Sequence, residues 1–176
     1  MLYHASKEPG LKYLEPRIST HGKAFVYAVR SRVTAFLFGA PKDDFDLLTD
    51  ETGGVAHIYE CYPDAAEKIY GGKKCSLYTV GEEGFLPDVT GWEPELVCES
   101  AVPVIREEFI ADILSYLDNA AARGDCVIHR YSDEQAYRAM LREELEERIA
   151  DFGLTEEEIK KDPRLAHFAA DRDLSG

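Results

Sequence analysis

Apolar positions along the chain follow two rhythms: short runs broken by turn residues up to about residue 105, then stripes at helical spacing. Leu2–Ser6 (LYHAS) and Phe25–Val29 (FVYAV) are aromatic and β-branched and run into turn-forming residues, which predicts two strands. Pro9, Gly10, Pro16 and Gly22 interrupt the stretch between them too often for a long regular element, so it reads as a loop. Ser31 is placed to cap a short helix through Phe38, with Val33, Phe36 and Leu37 on one face and Gly39 and Pro41 as its stop. Residues 55–61 and 75–80 predict two further strands joined through Pro63 and the Gly71-Gly72 turn. That turn, with Lys73 and Lys74, lacks the spacing of a phosphate loop and reads as a basic hairpin turn. Residues 96–105 form another extended run, in which Pro103 marks a sheet edge or a break between two strands.

Beyond this run the period changes. Phe109, Ile110, Ile113, Leu114 and Leu117 recur at helical spacing, and Gly124 stands where that helix would end. Residues 126–131 predict a last strand. Ser132 and Gln135 then form the capping-box pattern of a helix with Tyr137, Leu141, Leu145, Ile149 and Phe152 on one stripe, closed by Gly153. Thr155 and Glu158 repeat the box for a short helix through Lys161, and Pro163 opens at most one more brief turn. The pattern predicts an α+β fold: a compact mixed-sheet core over residues 1–131, and an acidic helical extension over 132–176 packed on it.

The 176 residues are 45% hydrophobic and 31% charged, enough for one domain to bury a core without metal or disulfide staples. Cys61, Cys75, Cys98 and Cys126 form no CxxC pair and read as buried thiols of a reducing compartment. No basic leader followed by an apolar stretch opens the chain and no run of 18 apolar residues occurs, which makes the cytoplasm the expected location and a membrane span unexpected. The net charge of −14 is uneven: residues 1–88 carry 10 basic and 13 acidic side chains, residues 89–176 carry 10 and 21. Such a surface repels phosphate backbones and disfavours a nucleic-acid partner. His57, His129 and His167 are dispersed in the sequence and no metal-ligand spacing links them, so no metal is expected. His21 sits in a Gly-containing loop and reads as part of a solvated turn.

The opening Leu2-Tyr3-His4-Ala5-Ser6, the later Phe25-Val26-Tyr27-Ala28 and the short helix containing Ala35-Phe36 carry a resemblance. Together they are similar to the first two motifs of ADP-ribosyltransferases of the His-Tyr-Glu class, the diphtheria-toxin and poly-ADP-ribose-polymerase type. The likeness covers roughly the first 40 residues, and it implies an ADP-ribosyltransferase-like sheet that binds NAD as substrate. Carried over residue by residue, Tyr3, His4, Ser6, Tyr27 and Phe36 would contact the nucleotide. His4 would bond the adenosine ribose, Ser6 the nicotinamide side, and Tyr27 would stack on the nicotinamide ring, whose loss the family's glutamate assists. Glu99 on the strand-like Val97-Cys98-Glu99-Ser100 stands in the right chain order for that glutamate, with Glu60 as the alternative. A carboxylate placed where positive charge develops is the strongest effect such a site can exert. Two departures are visible: Ala5 replaces the family's glycine, and Glu99 lacks a Glu-x-Glu or Gln-x-Glu signature.

The implied reaction transfers ADP-ribose to an unknown protein or small-molecule acceptor. The rival reading is a non-catalytic binding or regulatory α+β domain, whose acidic helical face meets a partner.

Overall fold

The computed structural model describes residues 1–18, 22–132 and 134–165. Among these, eleven strands and five helices follow in order. The first part of the chain gives β1 (Leu2–Ser6), β2 (Tyr13–Leu14), β3 (Arg17–Ile18), β4 (Ala24–Val29), α1 (Arg32–Phe36), β5 (Leu47–Thr52), β6 (Val55–Glu60) and α2 (Ala65–Tyr70). The second gives β7 (Cys75–Val80), β8 (Leu86–Pro87), β9 (Glu95–Cys98), β10 (Val102–Ile110), α3 (Ile113–Arg123), β11 (Cys126–His129), α4 (Gln135–Phe152) and α5 (Glu156–Lys161). The fold is α+β. A large antiparallel sheet runs β2-β10-β7-β1-β4-β9-β8, with β3 attached to β4, and a three-stranded sheet runs β11-β6-β5.

The large sheet separates two cores, and the pleat sends alternate residues to each. On β7, Cys75 and Leu77 join the larger core while Tyr78 and Val80 join the smaller. The larger core lies where the sheet meets α1, α2, α3 and the three-stranded sheet. Leu141, Leu145 and Ile149 of α4, Ile159 of α5 and Leu165 belong to the same cluster. The helical extension is thus part of the core's packing. Gly39 lies close behind α1: a Cβ there would meet Cys75 Sγ and Ile113 Cδ1, both at 3.0 Å, so a larger residue would push these side chains aside where the turn lies against β7 and α3.

Several elements depart from the sequence pattern, each for a local reason. Phe109 and Ile110 continue β10 rather than opening a helix, because they pair with Ser76 and Cys75 of β7. Asp112 then caps α3 by accepting from the Ser115 amide at 2.7 Å. The 96–105 run breaks at residues 99–101 into β9 and β10, with Pro103 paired to Tyr13 near the start of β10. The strands at 55–60 and 75–80 lie in different sheets, and α2 fills the connection, its C-terminal cap at Gly71. Ser132 does not cap α4; it accepts from the Glu134 amide at 3.1 Å, and the helix begins at Gln135. Thr155 and Glu158 do form a complete capping box on α5.

β5 has no counterpart in the sequence reading. Its hairpin to β6 turns through Gly53 and Gly54, both with positive φ (61° and 80°), as a two-residue turn requires. All four cysteines are free and buried; burial pushes the Cys61 thiol up to about 12 and that of Cys75 to about 11. No described helix is long and apolar enough to cross a membrane.

Candidate functional site

β1 and β4 are neighbours, but their ladder has one paired position, Tyr3 opposite Val29. Beyond it a side chain bridges the two strands: His4 Nδ1–H donates to the carbonyl of Tyr27 at 2.8 Å. A carbonyl can only accept, so this bond fixes the proton on Nδ1 and leaves Nε2 of the neutral ring as an acceptor. Burial holds the His4 pKa below its ordinary value; the Tyr27 carbonyl opposes this and the charge of Arg17 adds to it.

The pleat directs the two side chains to different sides. Leu2 lies in the smaller core and Ala5 in the larger, so His4 alternates toward the side of Leu2. Val26 and Ala28 lie in the smaller core and Val29 in the larger, so Tyr27 alternates toward the larger. The resemblance implies two side chains on one nucleotide; here they alternate to opposite sides of the sheet, and His4 reaches Tyr27 through its main-chain carbonyl.

His4 and Tyr27 line two depressions. The first, about 470 Å³, is walled by Tyr3, Phe38 and Trp92 and carries Lys42, Asp44, Glu95 and Arg148. Its size falls within the ~300–1,000 Å³ of small-molecule sites, and it combines the aromatic walls and few polar groups typical of them. The Phe38 and Trp92 rings meet edge-on at 5.7 Å, and Trp92 is tied to β9 by the Glu95 amide, which donates to its carbonyl at 3.0 Å. Glu95 stands opposite Val29 on β4, one pleat from Tyr27, so the sheet offers both side chains on one face. The second depression, about 310 Å³, is lined by Ser6, Leu11, Glu15, Arg17 and Phe25 in addition to the shared pair.

The other sequence candidates fall elsewhere. Tyr3 lines the larger cleft, with the Arg32 guanidinium 5.4 Å from its ring centre. Ser6 lines the second depression and accepts from the Glu8 amide at 3.2 Å. Phe36 is fully buried against the Tyr116 ring, centroids 4.0 Å apart; it is a core residue, and its neighbour Ala35 is the one that reaches the cleft. Glu99 lies just past the end of β9, 55% exposed, ion-paired with Lys23 at 2.6 Å and facing a different depression beside Gly84 and Pro103. Glu60 is buried and saturated. It accepts from the Ala66 amide at 3.0 Å, the Tyr131 amide at 2.9 Å and Arg130 at 3.1 Å, so it anchors α2 and the segment after β11.

The histidines dispersed in sequence are partly gathered by the fold. Parallel pairing of β6 with β11 brings His57 Nδ1 within 3.0 Å of His129 Nε2, with Tyr59 stacked on His129 at 4.1 Å. One ring donates and the other accepts, so at least one is neutral. Burial, then the neighbouring His57, lowers the His129 pKa. Among the described residues no three His, Cys, Asp or Glu side chains gather to hold a metal ion. His21 and His167 lie outside the described residues.

Sequence reasoning missed Lys42, Trp92, Glu95 and Arg148. The single Trp, next to Gly91, was the one available signal, since partly exposed tryptophans are common at binding surfaces. No family model, curated protein or solved structure matches this chain.

Proposed function

We propose that the cleft over β1, β4 and β9 binds a nucleotide of the NAD type. The observation that carries this reading is the cleft of about 470 Å³ walled by Tyr3, Phe38 and Trp92, with Tyr27 and the cations Lys42 and Arg148 in its lining. A ligand with an aromatic ring and an anionic group suits such a site. Tyr27 and Trp92 offer aromatic rings to a planar heterocycle, and Lys42 and Arg148 offer charge to the anion. The resemblance of the opening motifs to His-Tyr-Glu ADP-ribosyltransferases supports the same ligand.

A second reading, transfer of ADP-ribose, is favoured by Glu95, a carboxylate that lines the cleft on the Tyr27 face, whereas Glu99 lines a different depression and Glu60 is buried in the core. In that reaction the bond between C1′ of the ribose and the nicotinamide nitrogen breaks, and its electron pair leaves with nicotinamide. Positive charge on the ribose is met by Glu95, and an acceptor nucleophile forms the new bond to C1′ as it gives up its proton.

The test is calorimetry with NAD on the purified chain and on Tyr27→Ala and Trp92→Ala, with free nicotinamide measured in the same samples. Saturable binding that weakens about tenfold or more in each folded variant is the expected outcome. Nicotinamide release lost in Glu95→Gln, with binding retained, establishes cleavage at C1′, and ADP-ribose recovered on an acceptor rather than free establishes transfer; binding without release leaves a nucleotide-binding module. Absence of binding at millimolar NAD overturns the proposal.

A further inference from the structure

We propose that Lys42 and Arg148 form an anion subsite in the larger cleft that takes the diphosphate of the nucleotide. Naming the anion rests on the nucleotide reading above; the subsite itself rests on how these two cations are held.

Lys42 lies in the loop between α1 and β5, and Arg148 projects from α4, one residue before the buried Ile149. Both line the cleft. Arg148 donates through Nη1 to the main-chain carbonyl of Asp44, a contact that orients the guanidinium without neutralising it. The Lys42 ammonium stands 5.4 Å from the centre of the Phe38 ring.

Two of the three aspartates on the Lys42 loop are already committed. Arg164 takes Asp43 at 2.6 Å and Asp46 at 3.0 Å, and Asp46 also accepts the Tyr62 hydroxyl at 2.9 Å. Of the loop's three aspartates this leaves Asp44 beside two cations. Burial depresses the Lys42 pKa; the charge of Asp44 opposes this and that of Arg148 adds to it, so an arriving oxyanion would relieve a cost already present.

The loop is also built to hold this arrangement. Asp43 accepts from the Phe45 amide and Asp46 from the Asp43 amide, both at 2.9 Å, and the Asp46 carbonyl accepts from the Cys61 amide at 3.2 Å. A guanidinium fork beside an ammonium, on a pre-formed loop with aromatic walls, matches the several oxygens of a diphosphate better than one carboxylate. The subsite makes α4 of the C-terminal extension a wall of the binding site.

The experiment measures binding of inorganic pyrophosphate, ADP-ribose and nicotinamide riboside by calorimetry. The proteins are wild type, Lys42→Met, Arg148→Met and Arg148→Lys, each checked for an unchanged melting transition. Both Met variants are expected to lose about tenfold or more in affinity for pyrophosphate and ADP-ribose, with Arg148→Lys losing less and nicotinamide riboside unaffected. In case a variant does not fold, acetylation of wild-type Lys42 followed by mass spectrometry provides an independent readout, and saturating pyrophosphate should protect it. Pyrophosphate that binds and protects Lys42, while NAD and ADP-ribose do not bind, upholds the subsite and removes the nucleotide reading. Nucleotide binding indifferent to both Met substitutions, or Lys42 acetylated equally with and without pyrophosphate, overturns the subsite.

Discussion

Two regions of the molecule hold polar groups away from bulk water and do so in opposite ways. Around Glu60 the demand is closed: two amides and an arginine meet one carboxylate, and the Tyr137 hydroxyl lies 2.9 Å from the Glu60 carbonyl and 3.0 Å from that of His129. In the cleft the demand is open: Arg148 is oriented by a carbonyl, Lys42 by a ring, and the His4 imidazole retains an acceptor nitrogen. A buried polar group with every bond made stabilises the fold, while one held in place with capacity left over is available to a ligand.

The sharpest way to break the comparison is Glu60→Ala. It leaves two inward amides without their acceptor and should cost about 3 kcal/mol or more, read as a lowered midpoint in urea unfolding. Glu60→Gln, which keeps one acceptor oxygen, should cost less, and neither should change nucleotide affinity in the folded fraction. If Glu60→Gln abolished nicotinamide release at unchanged stability, the closed node would be the reactive one and the comparison would reverse.

Acidification sharpens it next. His4 and His129 have folded pKa values below the ordinary 6.5, so the unfolded chain binds protons first. The stability they contribute is full above about pH 6.5 and is lost as pH falls through that value toward their folded pKa values. Thermal melting between pH 7.5 and 5.5 should show the decline, reduced in His4→Asn and in His129→Gln. Carboxylates such as Asp162, held low by hydrogen bonds from Arg164, lose their contribution only near pH 4 and below, outside that window. The smallest effect belongs to Glu99→Gln. It removes an exposed ion pair with Lys23, which should change stability by less than about 1 kcal/mol and leave binding unaltered. A loss of NAD binding in that variant would return Glu99 to the site.

Elements with a local signature were legible in the sequence: the strands at Leu2–Ser6 and Ala24–Val29, the Ser31 cap, the Thr155/Glu158 box, and Gly124 and Gly153 behind their helices. What escaped depended on partners far away. β5 reads LLTDET, too polar for a strand by composition, because it is an edge whose Asp50 and Thr52 meet water; the Gly53-Gly54 turn was its visible trace. Phe109 and Ile110 fit a helical period equally well, and pairing with β7 decides against it. Within the site, His4 and Tyr27 could be read as a pair on neighbouring strands, but not the sides to which the pleat turns them. Lys42, Glu95 and Arg148 come from a loop, a strand start and a helix that only tertiary packing brings to one cleft.

Arg164 closes the loop that carries Lys42 by reaching Asp43 across 121 positions of sequence. At ribosomal rates of about 5–20 residues per second, that partner follows the loop by roughly 6–24 s. Until then Asp43 and Asp46 lack the arginine that pairs with them in the fold. The tie that holds the loop under Lys42 can therefore form only once nearly all of the described chain has been made.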